Sequence, residues 1–317
     1  MMYGDGVQKM PQVETPIKLE SSNQMAKLMR LATYASVTVA AILIVVKIGA
    51  WLATESVSLL SSLVDSLLDA GSSLINLFAI YHALQPADRE HRFGHGKAEA
   101  LAGLAQAAFI AGSGVFVMLE AIDRLFNPRA IDNGEFGIGV MVFAILLTSI
   151  LVLFQAYVVR KTGSIAIHAD SFHYRVDVLV NIAVIMSLIL SSYGGFLVAD
   201  PLFAGAIVIY MGFGSWKIAI KSLDDLMDRE FPDEERIKIR EIAMAHPKVH
   251  DIHDMRTRRS GRYSFIQIHL EMSRELTLVE AHQISDEVMY KVEEAFPSTE
   301  VLIHQDPEGV EERRDGF

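Results

Sequence analysis

Six stretches of this chain are long and apolar enough to cross a lipid bilayer, and that property decides most of what it can be. A membrane-spanning helix needs roughly 20 predominantly apolar residues. Residues 31–53, 57–83, 98–126, 135–159, 165–192 and 197–226 each supply such a run. Backbone amides and carbonyls find no water in the hydrocarbon, so runs of this length must be helical. A mean hydropathy of +0.30 and 51% hydrophobic residues are too high for an ordinary soluble domain. The expected fold is an α-helical polytopic membrane protein with six transmembrane helices.

The apolar runs end at Leu226, and the rest of the chain is charged and mixed. Four segments follow: a flexible cytoplasmic arm at 1–30, a membrane domain at 31–226, a soluble domain at 227–308 and a tail at 309–317. The arm has Pro11, Pro16 and Ser21 but lacks the basic, apolar and small-residue order of a signal peptide. Connectors alternate in charge. Those at 54–56 and 193–196 have no Lys or Arg, and 127–134 has only Arg129. The opposite side collects Lys9, Lys18, Lys27, Arg30, Arg89, Arg92, Lys97, Arg160 and Lys161. The positive-inside rule therefore places both termini in the cytoplasm. The soluble domain reads as a helix at 233–245, strands at 249–258 and 262–272 about the Ser260-Gly261 turn, a helix at 278–295 capped by Thr277, and a strand at 300–304. That αββαβ order implies an α+β domain with its helices on one side of a sheet.

Four polar residues interrupt two of the spans. Asp65 and Asp69 lie four apart in the second, and His173 and Asp177 lie four apart in the fifth. Positions i and i+4 share one helix face. If the two faces meet, three carboxylates and an imidazole converge, a donor set that suits a tetrahedral divalent metal. Hydrogen bonds to Ser61, Ser66 or Asn76 would explain one buried aspartate, but two independent pairs at this spacing point to an ion pathway. Asp170, near the start of its helix, reads as a charge facing solvent or the helix dipole. Lys47 reads as a snorkelling or pairing cation with no ligand role.

Two further clusters lie outside the spans. Asp88, His91 and His95 fall within the loop at 85–97 and suit one ion, although a solvated connector would carry the same residues. His253, His269, His282, His304 and Asp306 are spread over the elements of the soluble domain and could meet at a sheet edge, although single histidines there are commonly surface residues. The chain has no cysteine, so any metal is held by His, Asp or Glu. A formal net charge of −11 argues against nucleic acid as a partner. With no GK[ST] phosphate loop, no ATP site is visible and transport would draw on gradients.

The segments Asp65-Ser66-Leu67-Leu68-Asp69, Pro86-Ala87-Asp88 with His91-Arg92-Phe93-Gly94-His95-Gly96-Lys97-Ala98-Glu99, Ala169-Asp170-Ser171-Phe172-His173-Tyr174-Arg175-Val176-Asp177, Asp228-Arg229-Glu230, His253 to Arg258 and Ile303-His304-Gln305-Asp306-Pro307 together resemble the cation diffusion facilitator family, in its bacterial zinc- and iron-exporting type. The resemblance runs from about 31 to 307. It implies a homodimer in the bacterial inner membrane, with a cytoplasmic metallochaperone-like domain, that exchanges cytoplasmic Zn²⁺, or Fe²⁺ or Cd²⁺, for protons. It implies a transport site of Asp65, Asp69, His173 and Asp177 and a loop site of Asp88, His91 and His95. A paired-zinc site of His253, His269, His304 and Asp306, supported by His282, would lie at the cytoplasmic dimer interface. Lys97 and Asp228 would form a charge pair that locks the dimer. The chain is then a secondary transporter rather than an enzyme. A metal-gated channel and a membrane-anchored metal sensor are the other readings of these residues.

Overall fold

The computed structural model describes residues 16–55, 57–126, 135–194 and 198–310. Six long helices come first: α1 (Pro16–Thr54), α2 (Val57–Ala83), α3 (Lys97–Phe126), α4 (Glu135–Thr162), α5 (Ile165–Gly194) and α6 (Ala199–Leu226). All six are long and apolar enough to span a membrane. Only 22% to 33% of each apolar window is buried within the protein, so most of that surface is left for lipid. The chain is a multi-pass membrane protein.

One expectation needs correction. The arm at 1–30 is not a coil throughout, because α1 begins at Pro16. Proline fits the first position of a helix, where its missing N–H costs nothing, so Pro16 starts the helix rather than breaking it. Met29 is 3% exposed and joins a buried cluster with Ala32, Ile80, Leu84 and Ile167, which anchors that extension. Residues 1–15, residue 56 of the first connector, the connector at 127–134, residues 195–197 and the end of the tail at 311–317 lie outside the described residues.

Small residues set the spacing of the membrane helices, as lipid supplies no hydrophobic drive for association. A Cβ on Gly103 of α3 would lie 2.6 Å from Ser222 Oγ of α6 and 2.7 Å from Ile165 Cγ2 of α5. A Cβ on Gly214 of α6 would lie 1.8 Å from Phe172 Cζ, so the ring of Phe172 sits in the notch this glycine leaves.

The soluble domain holds α7 (Asp233–Met244), β1 (Val249–Ser260), β2 (Tyr263–Met272), α8 (Leu278–Ala295) and β3 (Thr299–Pro307). The sheet order is β1-β2-β3, with β1 antiparallel to β2 and β3 parallel to it through the α8 crossover. Central β2 buries Ile266, Ile268 and Leu270 against Ile239 of α7 and Val288 and Val292 of α8. Gly261 makes the β1–β2 turn at φ 58°, a conformation that favours glycine. Thr277 and Glu280 form a reciprocal capping box at the start of α8. This α+β architecture agrees with the order read from the sequence, with each strand extended by one to three residues at one or both ends except β2, which starts one residue later.

The loop between α2 and α3 docks onto this domain. Phe93 meets Phe265 edge-on with centroids 5.2 Å apart, and the Arg258 guanidinium lies 4.4 Å from the Phe93 centroid. Arg258 also pairs with Asp228 at 3.5 Å. A Cβ on Gly96 would lie 2.1 Å from the Ser260 carbonyl oxygen, so loop and hairpin approach backbone to backbone.

Candidate metal centres

Helices α2 and α5 bring Asp69 of the first polar pair to His173 and Asp177 of the second in the membrane domain. His173 Nε2 lies 2.9 Å from Asp69 Oδ1 and 3.8 Å from Asp177 Oδ2. One ligand atom from each of Asp69, His173 and Asp177 falls within 4.8 Å of the others. The imidazole side chain is 7% exposed, while those of Asp69 and Asp177 are 21% and 30% exposed. Phe109 of α3 closes one side of it, edge-on at 5.6 Å between centroids. Asp65 is not in this group. It lies one turn from Asp69 on the same face of α2, and is exposed. Asp177 thus joins Asp69 and His173 in one group, with Asp65 one turn away along α2.

Of the polar side chains weighed as partners for the aspartates, Ser66 is engaged by Lys47 instead. The Ser66 hydroxyl accepts from Lys47 Nζ at 2.6 Å, and Lys47 also donates to the Ser62 carbonyl at 3.0 Å. Lys47 therefore pairs with α2 inside the stretch that carries both aspartates, rather than snorkelling. Asp170 corrects the sequence reading outright. It is 1% exposed and accepts hydrogen bonds from three other helices, so it faces neither solvent nor a helix end.

Asp88, His91 and His95 lie together in the loop between α2 and α3. Asp88 lies 3.3 Å from His91 Nδ1 and 3.3 Å from His95 Nε2, one oxygen to each. Its carboxyl is held below the ordinary value, chiefly by the backbone amide of His91 at 2.6 Å and then by that of Glu90 at 2.9 Å. His82, which the sequence did not single out, stacks on His95 with centroids 6.0 Å apart. It stands on the last turn of α2, and only the folded loop reveals it as a neighbour.

In the soluble domain three histidines line up across the sheet, since His253 pairs with His269 and His269 with His304. Asp306 serves all three. Its Oδ2 is 3.1 Å from His253 Nε2 and 2.8 Å from His269 Nδ1, and its Oδ1 is 3.0 Å from His304 Nε2. His253, His269 and Asp306 bring ligand atoms within 4.8 Å of one another, a donor set that fits a divalent metal. His282 does not join them; its side chain is 61% exposed and lies 3.6 Å from Asp286 on its own helix. Lys97 Nζ meets Asp228 Oδ1 at 2.9 Å and donates to the Leu226 carbonyl at 3.2 Å, a pair formed within one protomer. His246 and His250 pair with Glu287 at 3.2 Å and Glu308 at 2.6 Å, away from these clusters.

Six spanning helices with a carboxylate–imidazole cluster between them, joined to a small α+β domain, define a membrane transporter of metal cations. Residues 33–227 match the cation efflux transmembrane domain, and residues 231–308 match the cytoplasmic domain of cation efflux proteins. The cation-efflux pump FieF of Yersinia pestis (strain Pestoides F) is 48% identical over 284 residues, covering 90% of this chain and 94% of that protein. FieF of Yersinia pseudotuberculosis serotype IB (strain PB1/+) matches over the same extent, at 48% identity. A solved structure of CzrB in its zinc form is 34% identical over 27% of this chain and 99% of its own, with a TM-score of 0.26. The chain belongs to the cation efflux, or cation diffusion facilitator, family.

Proposed function

We propose that the protein exports Zn²⁺ from the cytoplasm in exchange for protons, as a homodimer in the bacterial inner membrane. The observation that carries this reading is the convergence of Asp69, His173 and Asp177 between two spanning helices, with His173 Nε2 2.9 Å from Asp69. Asp65, one turn outward on the same face, completes a tetrahedral set by turning its side chain inward when metal arrives. Metal ligands must be deprotonated, so Zn²⁺ and protons compete for the same atoms and one leaves as the other enters. Alternating exposure of the cluster to the two sides then couples metal release to proton uptake. Fe²⁺ and Cd²⁺ are further cargo that this donor set accepts. In proteoliposomes with a zinc-sensitive dye, an inward-directed proton gradient should speed zinc movement against it. Zinc flux indifferent to the pH gradient would mark a metal-gated channel and sink the exchange mechanism. No zinc flux, with metal-dependent dimerisation retained, would mark a membrane-anchored sensor.

The imidazole should set metal preference, since it suits Zn²⁺ whereas carboxylate and water suit Mn²⁺. His173→Asp is expected to lose discrimination against Mn²⁺ in competition for zinc uptake. Unchanged competition would remove His173 from the ligand set.

The soluble-domain cluster would hold zinc that tightens the dimer, and the Asp88, His91 and His95 loop would hold another ion beside it. His253, His269 and Asp306 come from three strands, so metal binding there adds to folding free energy. This domain carries its own buried core, drawn from Phe231 to Val301, and should fold alone. The fragment from Glu230 onward is expected to melt higher and associate more tightly with Zn²⁺ than with a chelator. Replacing His269 and Asp306 by Ala should abolish that zinc dependence in sedimentation and thermal melting. Zinc-independent behaviour of the unmodified fragment would make these ordinary surface residues.

A further inference from the structure

Asp170 is the most buried acidic side chain close to the proposed transport site, and the exchange mechanism above gives it no task. It lies three residues before His173 on α5 and is 1% exposed. Its partners come from three different helices. Ser36 of α1 donates to Oδ2 at 2.6 Å, Gln155 of α4 donates to Oδ2 at 2.7 Å, and Gln106 of α3 donates to Oδ1 at 3.3 Å. Gln155 also donates to the Ser36 hydroxyl at 2.8 Å, and Ser72 of α2 donates to Gln106 Oε1 at 2.5 Å. Tyr174, one turn from Asp170 on the same face, bonds Ser73 of α2 at 2.8 Å and donates to the Ser36 carbonyl at 3.3 Å. All five other spans except α6 are thereby tied to α5 within one turn of His173.

We propose that Asp170 is a positioning residue for metal transport: through Ser36, Gln106 and Gln155 it fixes the rotation of α5 and so sets where the His173 imidazole stands opposite Asp69. This rests on the reading of Asp69, His173 and Asp177 as the transport site. The physical ground is directional. A carboxylate accepting three donors from three helices defines both the depth and the rotation of α5, whereas apolar contacts define neither sharply. Any turn of α5 that carries His173 away from Asp69 must break these bonds in a place without water to replace them. Groups that orient a metal ligand without touching the metal are typically worth about 10–100-fold in metal affinity.

The test is zinc transport by the full-length protein in proteoliposomes, with Mn²⁺ as competitor. Asp170→Asn keeps the shape but gives Ser36, Gln106 and Gln155 a poorer acceptor. It should raise KM for Zn²⁺ by about tenfold with a smaller change in kcat. It should weaken Mn²⁺ competition less, because Asp65 and Asp69 stay in place on α2 while the imidazole that Zn²⁺ favours turns away with α5. Combining it with Gln155→Glu moves the carboxylate across to α4 and should restore KM to within about twofold of wild type. A merely structural residue would weaken both metals alike, and the swap would not restore the preference. If Asp170→Asn fails to insert, Ser36→Ala removes one donor and should shift the Zn²⁺ to Mn²⁺ preference in the same direction. Wild-type KM and preference in Asp170→Asn, or in Ser36→Ala, would overturn the proposal, as would an unrescued double variant. Asp69→Asn, measured alongside, separates the two readings. If it transports like wild type, the transport-site reading fails; if it is inactive while Asp170→Asn is normal, only the positioning role fails.

Discussion

Asp69→Ala should abolish zinc transport while leaving the protein folded and dimeric. Asp69 stands near the middle of α2 and is the carboxylate nearest His173, at 2.9 Å. Removing it leaves the imidazole with Asp177 at 3.8 Å and only Asp65 on the facing helix. Loss of a direct ligand should cost at least as much as loss of an orienting partner, which is itself roughly 10–100-fold in metal affinity. It also removes one unit of negative charge from a low-dielectric site that must attract a divalent cation. Folding should survive because Asp69 is part-exposed and because α1, α3, α4 and α5 remain joined through Asp170. Zinc uptake into proteoliposomes and size-exclusion chromatography check the two halves of this expectation. Wild-type uptake by a correctly assembled variant would take the transport site away from α2.

The second large effect is expected at Gly96. A methyl group there would lie 2.1 Å from the Ser260 carbonyl oxygen and 2.4 Å from its carbon, both backbone atoms of the β1–β2 turn. No flexible side chain can move aside, so loop and hairpin must separate. Overpacking of this kind costs about 1–3 kcal/mol. The Phe93, Arg258 and Phe265 stack and the Lys97–Asp228 pair would loosen with it. Gly96→Ala should therefore expose the connection between α6 and α7 to protease, and lower the unfolding temperature of the whole protein. Gly49→Ala is the control, since a Cβ there meets nothing within 4 Å. Equal protease resistance in the two variants would show that the domains do not meet through this contact.

The six spans and the order of the soluble domain were legible because length and apolar periodicity are properties of single elements. What partners an element finds is a property of pairs, and here the reading was uneven. The i,i+4 spacing placed Asp69, His173 and Asp177 on faces that do meet, yet it could not say that Asp65 would stand outside the group. Proximity to the start of α5 suggests an exposed end for Asp170, while α1, α3 and α4 cover it. Gln106, Gln155 and Ser36 passed unnoticed as single polar residues in apolar helices, where only a partner gives them meaning. The polar arm before residue 31 gives no apolar run to mark a helix, yet α1 already begins at Pro16, a first helical position that suits proline. His282 has the chemistry of a ligand, but its place on α8 turns it toward Asp286 instead.

The ring of Phe172, immediately before His173, occupies the notch above Gly214, with Tyr210 one turn away at 5.1 Å between centroids. A ring seated in a single gap works as a detent. Between Gly214 and the next turn of α6, roughly 5.4 Å along the axis, Phe172 would have to ride over side chains rather than over bare backbone. Helix α5 is therefore not free to creep along α6 by small steps. It either keeps its seat, moving together with α6, or leaves it in one discrete jump, as closely packed interfaces do. The exchange mechanism proposed above would have to respect that choice.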